Sequence, residues 1–251
     1  MNDFFQKIGF IGYGKFTRLL IELFSSHVPQ SKLKVLSRSH QPDGETFFSK
    51  EEVYSADLII PCVPIRNFAE SLDALLPYLK KGQTILDVCS VKVFPKKTML
   101  EKIPADINII CSHPMFGPAS YEKLGHSLKG CCAILENVRS EIQPYQLIKD
   151  FFASLDLNVI EMTAEEHDAK AAQFQFITLT TATVLKKLNI KREIIDTPSA
   201  LKMLDFLDMI SVDGDLVLDL YKYNPYCHKE FSRLKDAFET IQKELDECSN
   251  N

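Results

Sequence analysis

The chain has 251 residues, of which 45% are hydrophobic and 25% are charged. This balance is typical of a globular protein and excludes a disordered or collagen-like polypeptide. Lys and Arg total 29 against 34 for Asp and Glu, so the formal net charge is -5. Because no basic block is present, nucleic acid is not an expected partner.

The seven cysteines form no CxxC pair, and most of them lie in apolar runs. This usage is typical of reduced thiols in a cytoplasmic protein, and no metal site is expected. The N-terminus carries Asp3 and reaches a glycine-rich turn early, a pattern unlike that of a secretory signal peptide. No apolar run approaches the roughly eighteen residues of a membrane span, so no membrane association is expected.

The first 162 residues alternate short apolar runs with helical patterns. In chain order the predicted strands are KIGFIG, KLKVLS, ADLIIPCVP, QTILDVCS, INIICSH, CCAILE and LNVIEM, with helices from Lys15, from Ile65 and over roughly Ser140 to Leu155. Such alternation predicts a doubly wound, mainly parallel α/β sheet with helices on both faces. Because Pro61 lacks a backbone donor, the third strand is expected to end or bulge there.

No strand pattern follows Met162. The next stretch is a long helical pattern in which Thr163 is a helix cap and Glu166 follows it at capping-box spacing. Three further helical stretches complete the chain. We therefore predict two domains, residues 1–162 and 163–251, of which the second is all α. Its high apolar content predicts a homodimer formed through this domain.

Two glycines, Gly12 and Gly14, lie between the first strand and the first helix. Gly12 permits a tight turn, Gly14 lets the backbone approach a pyrophosphate, and the helix N-terminus supplies N–H donors and partial positive charge. Thr17 replaces the third glycine of this dinucleotide fingerprint. A two-glycine turn is also a common structural corner, so the second strand must decide between the two interpretations. The residues assigned to the cofactor around this turn and the third strand are Gly12, Gly14, Lys15, Phe16, Cys62 and Pro64.

The residues after the second strand are Ser37, Arg38, Ser39 and His40. An Asp or Glu at this position would bind the ribose hydroxyls of NAD, whereas an arginine with two hydroxyls suits a ribose 2′-phosphate. The alternative is a solvated surface arginine. Ser37, Arg38 and Ser39 therefore predict NADP as the preferred cofactor.

Polar motifs follow the fourth and fifth predicted strands. The first runs from Asp87 through Ser90 to Lys92, and the second contains Ser112 and His113. Ligands bind at the carboxyl ends of the strands in an open parallel sheet, so both motifs are expected at one site. His113 is the best acid/base candidate, although a histidine beside a proline can also be a packed loop residue.

Several segments together resemble the prephenate and arogenate dehydrogenases of tyrosine biosynthesis, a branch of aromatic amino acid biosynthesis, and are most similar to the plant arogenate type. They are IGFIGYGKF, LSRSH, DVCSVKVFPK, CSHPMFGP, EEHDAKAAQFQFIT and YKYN with LKDAFETIQKEL. They span nearly the whole chain in the family's order. The resemblance implies a Rossmann domain, a helical dimerisation domain and an oxidoreductase that uses NADP to convert a small cyclohexadienol to a phenol with loss of carbon dioxide.

The resemblance also assigns roles to residues. His113 accepts the proton of the ring hydroxyl while hydride leaves the same carbon, and Ser90 orients the histidine or the hydroxyl. Lys92 orders this loop or binds an anionic ligand. His167 and Asp168 match a pair that lines the substrate cleft, although an acid at a helix start is also common without function. The substrate residues implied in this way are His167, Asp168, Gln175 and Thr178.

Three positions depart from the family's pattern. Ala119 stands in place of a carboxylate, Leu179 in place of a histidine, and Thr183 in place of an arginine. The contacts with the substrate carboxylates, and the choice between arogenate and prephenate, therefore stay open. The candidate substitutes are Glu122, Lys123 and Lys222.

Two other functions remain open. A β-hydroxyacid or imine-type dehydrogenase shares the domain order, but it needs a lysine acid farther along the first long helix than Lys170. A catalytically degenerate NADP-binding dimer would account for the three departures. The intact set of Ser90, Lys92 and His113 argues against it.

Overall fold

The computed structural model describes residues 5–209 and 214–249. The chain divides into two compact units, Met1–Ala164 and Glu165–Asn251. The division follows Ala164, whereas the predicted domain boundary follows Met162. Among the described residues, none of the helices combines the length and apolar character that a bilayer crossing requires.

The N-terminal unit is built on a seven-stranded sheet with the order β2-β1-β3-β4-β5-β6-β7. The strands are β1 (Lys7–Ile11), β2 (Lys32–Leu36), β3 (Leu58–Pro61), β4 (Thr84–Asp87), β5 (Asn108–Pro114), β6 (Cys132–Arg139) and β7 (Asn158–Glu161). Every pairing is parallel except the antiparallel pairing of β5 with β6. The predicted doubly wound, mainly parallel Rossmann sheet is confirmed.

The described residues of this unit form six helices beside the sheet. They are α1 (Lys15–His27), α2 (Lys50–Tyr54), α3 (Phe68–Leu75), α4 (Val93–Lys102), α5 (Pro118–Lys123) and α6 (Ile142–Ser154). The strands β3, β4 and β5 are buried along their whole length, as expected where helices cover both faces. Phe24 of α1 stacks on Phe151 of α6 with ring centroids 3.9 Å apart, which joins these two helices.

Several details of the unit differ from the sequence prediction. The motif with Ser112 and His113 lies inside β5, within the predicted run INIICSH and not beyond it, because antiparallel pairing with β6 continues through His113 and Pro114. Helices α2, α4 and α5 were not predicted. In α4, Pro95 and several charged residues obscure the apolar periodicity, and α2 and α5 have only five and six residues. The third strand ends at Pro61, where its missing N–H predicts an end.

The C-terminal unit is helical, and its described residues contain no strand, which confirms the predicted all-α character. Its helices are α7 (Ala164–Ala171), which begins at the unit boundary, α8 (Ile177–Lys187), α9 (Pro198–Met209), α10 (Gly214–Tyr223) and α11 (Cys227–Ser249).

The long helix predicted after Thr163 is interrupted by a π-helical turn, Ala172–Phe176. Buried Phe176 stacks near Tyr221 of α10 and contacts Phe231 of α11, with centroids 6.0 and 6.5 Å apart. This aromatic packing accompanies the widened turn. The sequence analysis did not predict it, because the aromatic partners of Phe176 lie far from it along the chain.

Candidate active site

The first turn of the sheet requires a glycine at position 12. Gly12 has a φ of +104°, and a Cβ there would lie 2.6 Å from the carbonyl oxygen of Cys62. Its N–H donates to the carbonyl of Leu36 over 2.8 Å. Gly14 is different, because a Cβ at that position would meet no atom within 4 Å. The backbone conformation and the close approach of Cys62 therefore require glycine at position 12. The open space beside Gly14 leaves room for a ligand.

The N-terminus of α1 faces this space without a side-chain cap. Gly14 is the N-cap residue, and the first turn contains no acidic residue, so its N–H groups suit an anion. Lys15 is exposed, and the ring of Phe16 packs near that of Phe116 with centroids 6.1 Å apart. Thr17, at the third-glycine position, is buried with 1% exposure.

The two remaining cofactor candidates follow β3. Desolvation raises the pKa of Cys62 to about 12, partly offset by a hydrogen bond from Thr17, so the thiol is protonated at neutral pH. Pro64 is exposed and precedes a 3-10 turn, Ile65–Asn67. Neither residue carries charge, so any contribution to a cofactor comes from packing.

The residues after β2 form a polar surface beside the glycine turn. Ser37 is half-buried, and its Oγ lies 3.2 Å from Ser39 Oγ. Arg38 between them is exposed, and it forms no ion pair within residues 5–209 and 214–249. Two serine side chains, one of them half-buried, and an exposed guanidinium therefore stand together at the end of this strand.

The catalytic candidates lie at the carboxyl ends of neighbouring strands. β4 and β5 pair in parallel with Asp87 opposite Cys111, so Ser90 follows β4 near the height at which His113 stands on β5. His113 is 5% exposed, and Ser90 is half-buried. Because β1, β3, β4 and β5 are parallel, both residues lie at the carboxyl edge of the sheet, the edge that also carries the glycine turn.

Lys92 belongs to a buried ion pair. Its Nζ donates to Asp87 Oδ2 and to the backbone carbonyl of Ser112. The other carboxylate oxygen of Asp87 accepts the N–H of Cys89 over 2.8 Å, and Ser112 Oγ donates to the Asp87 carbonyl over 2.7 Å. Lys92 and Asp87 are 1% and 0% exposed.

The charge state of this pair follows from two opposing effects. Burial is the largest single effect and lowers the pKa of Lys92, but the charge and hydrogen bond of Asp87 and the nearby cysteines together raise it, so the net pKa lies above the ordinary lysine value. Lys92 is therefore charged, and its hydrogen bond to Ser112 connects the loop after β4 to the strand that carries His113. This geometry supports the loop-ordering interpretation of Lys92 over contact with an anionic ligand. The sequence did not indicate a role for Asp87 or Ser112, because it does not show that they are buried.

His167 and Asp168 form a buried pair in the C-terminal unit. His167 Nδ1 lies 2.8 Å from Asp168 Oδ1, and the residues are 3% and 0% exposed. Asn224 Nδ2 donates to the backbone carbonyl of Asp168 over 2.9 Å. Asp168 is therefore not a solvated helix-start acid. Asn224 is the last residue of the YKYN segment. Its hydrogen bond to Asp168 gives this segment a structural role that the sequence did not show.

Gln175 lies in the π-helical turn, and Thr178 is half-buried at the start of α8. The buried atoms Gln175 Oε1 and Thr180 Oγ1 have no hydrogen-bond partner in the described part of the chain. Buried polar atoms of this kind call for a donor from a ligand, a water or another chain. Thr183 donates its hydroxyl to the Leu179 carbonyl over 2.8 Å, so it is occupied within its own helix.

A doubly wound sheet with an open glycine turn and a histidine at its carboxyl edge defines a dinucleotide-binding oxidoreductase. Residues 44–161 match the family model of the prephenate dehydrogenase nucleotide-binding domain, and residues 184–251 match that of a TYRAAT1-like C-terminal domain. Arogenate dehydrogenase 2, chloroplastic, of Arabidopsis thaliana is 31% identical over 95% of this chain and 70% of its own length. The chain belongs to the prephenate and arogenate dehydrogenase family, as the sequence resemblance predicts.

Two further similar proteins also carry the name of this family. Arogenate dehydrogenase 1, chloroplastic, of Arabidopsis thaliana is 32% identical over 95% of this chain, which spans 39% of that protein. A solved prephenate dehydrogenase from A. aeolicus, in complex with hydroxyphenyl propionate and NAD+, superposes with a TM-score of 0.72 at 17% identity, covering 98% of this chain and 92% of that one. At this identity the structural likeness shows the fold alone.

Proposed function

We propose that this protein catalyses the NADP-dependent oxidative decarboxylation of arogenate, prephenate or both. The observation that carries the proposal is the placement of His113 at the carboxyl edge of β5, directly after Ser112, which is tied to the buried Asp87–Lys92 pair. Family membership supplies the reaction class. The test is a steady-state assay with both substrates and both nicotinamide cofactors.

His113 is the proposed general base. Its ring takes the proton from the substrate's ring hydroxyl, and Ser90 orients the hydroxyl or the imidazole. Bound NADP supplies the acceptor for the hydride that leaves the carbon bearing that hydroxyl. The bond between the ring and its carboxylate then breaks and carbon dioxide leaves. The electron pair of that bond makes the ring aromatic, and the ring oxygen takes back the proton from His113. Lys92 is proposed to act as a positioning residue, because its contacts are with Asp87 and the Ser112 carbonyl.

The open space at Gly14 and the uncapped N-terminus of α1 fit the pyrophosphate of a dinucleotide. We assign Ser37, Arg38 and Ser39 to the ribose 2′-phosphate, which is the basis for preferring NADP over NAD. The A. aeolicus neighbour, which binds NAD+, supports a nicotinamide dinucleotide in general.

Replacement of Arg38 by Ala tests the cofactor preference. The KM for NADP should rise by about tenfold or more, because a charge-assisted contact to the phosphate is lost, while the KM for NAD should change little. Lys50, an exposed cation at the start of α2, gives a matched control as Lys50→Ala. An equal effect of Arg38→Ala on both cofactors would refute the assignment.

The proposed substrate residues are His167, Asp168, Gln175 and Thr178. Support comes from the buried His167–Asp168 pair and from the unpartnered oxygen of Gln175. One observation favours the alternative of an NADP-binding dimer without turnover. At the position where the family has an arginine, Thr183 donates its hydroxyl to the Leu179 carbonyl of its own helix. The same steady-state assay separates these two functions.

We propose a homodimer formed through the helical unit. On α11 the exposed apolar residues Phe238, Ile241 and Leu245, at 56%, 52% and 59% exposure, recur at spacings of three and four. Such a stripe on one helix face is typical of a surface that packs against another helix.

Sedimentation tests the dimer. We expect the dimer to persist to low concentration and the double variant Phe238→Glu with Ile241→Glu to sediment as a monomer, because each charge would enter an apolar contact. Lys243→Glu, an exposed change on the same helix, should leave the dimer intact. A compact, stable wild-type monomer at nanomolar concentration would contradict the proposal.

We propose that the protein is cytoplasmic. All seven cysteines are free, a state that suits a reducing compartment. Fractionation of cells that produce the chain, with immunodetection, tests it, and recovery from an oxidising compartment would contradict it.

A further inference from the structure

A histidine joins the two serines that follow β2. Nδ1 of His40 lies 3.0 Å from Ser37 Oγ and 3.0 Å from Ser39 Oγ. The N–H of Ser39 also donates to Ser37 Oγ over 3.3 Å. These contacts gather two hydroxyls and one imidazole nitrogen into a compact polar cluster.

Two aromatic side chains hold the ring of His40. It stacks on Phe47 with centroids 4.3 Å apart and planes 10° from parallel. Tyr13, from the glycine turn, packs edge-on against both rings, 5.3 Å from His40 and 4.9 Å from Phe47. Stacked and edge-on pairs of this kind favour one ring orientation. The imidazole plane is therefore set by the glycine turn on one side and by Phe47 on the other.

The loop that carries Phe47 is also ordered. Phe47 forms a parallel bridge with Val35 of β2, and the Val35 N–H donates to the Thr46 carbonyl over 3.1 Å. Asp43 Oδ1 accepts the N–H groups of Phe47, Glu45 and Thr46 within 2.9 Å. These hydrogen bonds, with that of Phe47 the largest, lower the pKa of Asp43, so its carboxylate stays ionised and keeps the loop closed at neutral pH.

We propose that His40 is a positioning residue for the ribose 2′-phosphate and that, with Arg38, it determines the preference for NADP. The inference rests on the proposed function. When Nδ1 carries the proton, its single N–H is shared between the two serine oxygens, and the hydroxyl protons of Ser37 and Ser39 turn to the phosphate oxygens.

The same cluster discriminates against NAD. A phosphate dianion uses several donors and the charge of a guanidinium, whereas a ribose 2′-hydroxyl is neutral and gains little from them. Removing the His40 contacts should therefore weaken ligands with a 2′-phosphate and leave the others almost unchanged.

Two substitutions at His40 distinguish the contributions of its two ring nitrogens to binding. The amide of Asn reaches the position of Nδ1, and that of Gln reaches the position of Nε2. The probes are adenosine 2′,5′-bisphosphate and 5′-AMP, which differ only in the 2′-phosphate, and their binding to the full chain is measured by calorimetry. We expect His40→Gln and His40→Ala to weaken bisphosphate binding about tenfold, His40→Asn less than about threefold, and AMP binding to change less than about twofold.

Phe47→Leu provides a second variant, because it removes the stacked ring and keeps an apolar side chain. We expect it to weaken the bisphosphate about threefold to fivefold without affecting AMP. Melting temperatures close to that of the wild type show that a loss of binding is not a loss of folding.

The outcomes distinguish this inference from the proposed function. If the wild-type chain binds the bisphosphate no more tightly than AMP, and Arg38→Ala changes neither, the NADP preference is wrong and the inference fails with it. If Arg38→Ala abolishes the preference while His40→Gln and His40→Ala bind like the wild type, only the role of His40 is overturned. Equal losses for His40→Asn and His40→Gln would also contradict positioning through Nδ1.

Discussion

Replacing His113 with Asn should lower kcat by roughly a hundredfold or more, the usual contribution of a general base. Asn keeps a similar shape and a hydrogen-bonding group, so the buried end of β5 should stay folded. Because only a neutral imidazole can accept the proton, wild-type turnover should fall as acid protonates the histidine, and the variant should lack this acidic limb. Steady-state rates across pH, with NADP saturating, measure both effects.

NADP affinity is the control for this variant. It should survive, because the proposed phosphate contacts lie at Gly14, Arg38 and the N-terminus of α1. His126→Asn, at an exposed position, should turn over like the wild type. A His113→Asn variant with near wild-type turnover, or with lost cofactor affinity instead, would show that His113 is structural and would redirect attention to His167 and Asp168.

Replacing Lys92 with Met should destabilise the protein by about 3 kcal/mol or more, because it leaves the carboxylate of Asp87 buried without its partner. The free energy of unfolding from urea denaturation measures the loss. The tie between the loop after β4 and the Ser112 carbonyl is also broken, so kcat should fall in the protein that remains folded.

The double variant Asp87→Asn with Lys92→Met should regain part of the stability lost by Lys92→Met, since no uncompensated charge remains. Lys97→Met, at a lysine whose side chain is 73% exposed, should cost less than about 0.5 kcal/mol. Equal stability of the Lys92→Met and Lys97→Met proteins would contradict a buried pair.

Sequence patterns were sufficient for the elements that rest on local rules. The apolar runs of β1, β3, β4 and β5 predicted buried parallel strands, and the loss of strand patterns after Met162 predicted a helical unit. The antiparallel β6 was not distinguished, because strand direction depends on a partner distant in sequence. The π-helical turn was missed because it depends on packing among Phe176, Tyr221 and Phe231.

In the candidate site too, the sequence showed the residues that follow local rules and did not show the contacts that depend on the fold. Gly12, Arg38 and His113 are visible in the sequence, because each occupies a recognisable place after or on a predicted strand. The buried partner of Lys92 and the anchor that Asn224 provides for Asp168 are not, since both contacts require three-dimensional burial. Phe47 carried no signal at all, because it lies in a loop whose order comes from bonds to Asp43 and Val35.

The most direct test of the central claim is a steady-state assay of the purified chain with arogenate and prephenate, each with NADP and with NAD, following the absorbance of the reduced cofactor. We expect NADP to be reduced with at least one of the two substrates, with carbon dioxide released in equal amount, and NAD to be the poorer cofactor. A folded protein that binds NADP but turns over neither substrate with either cofactor would contradict the assignment as an enzyme.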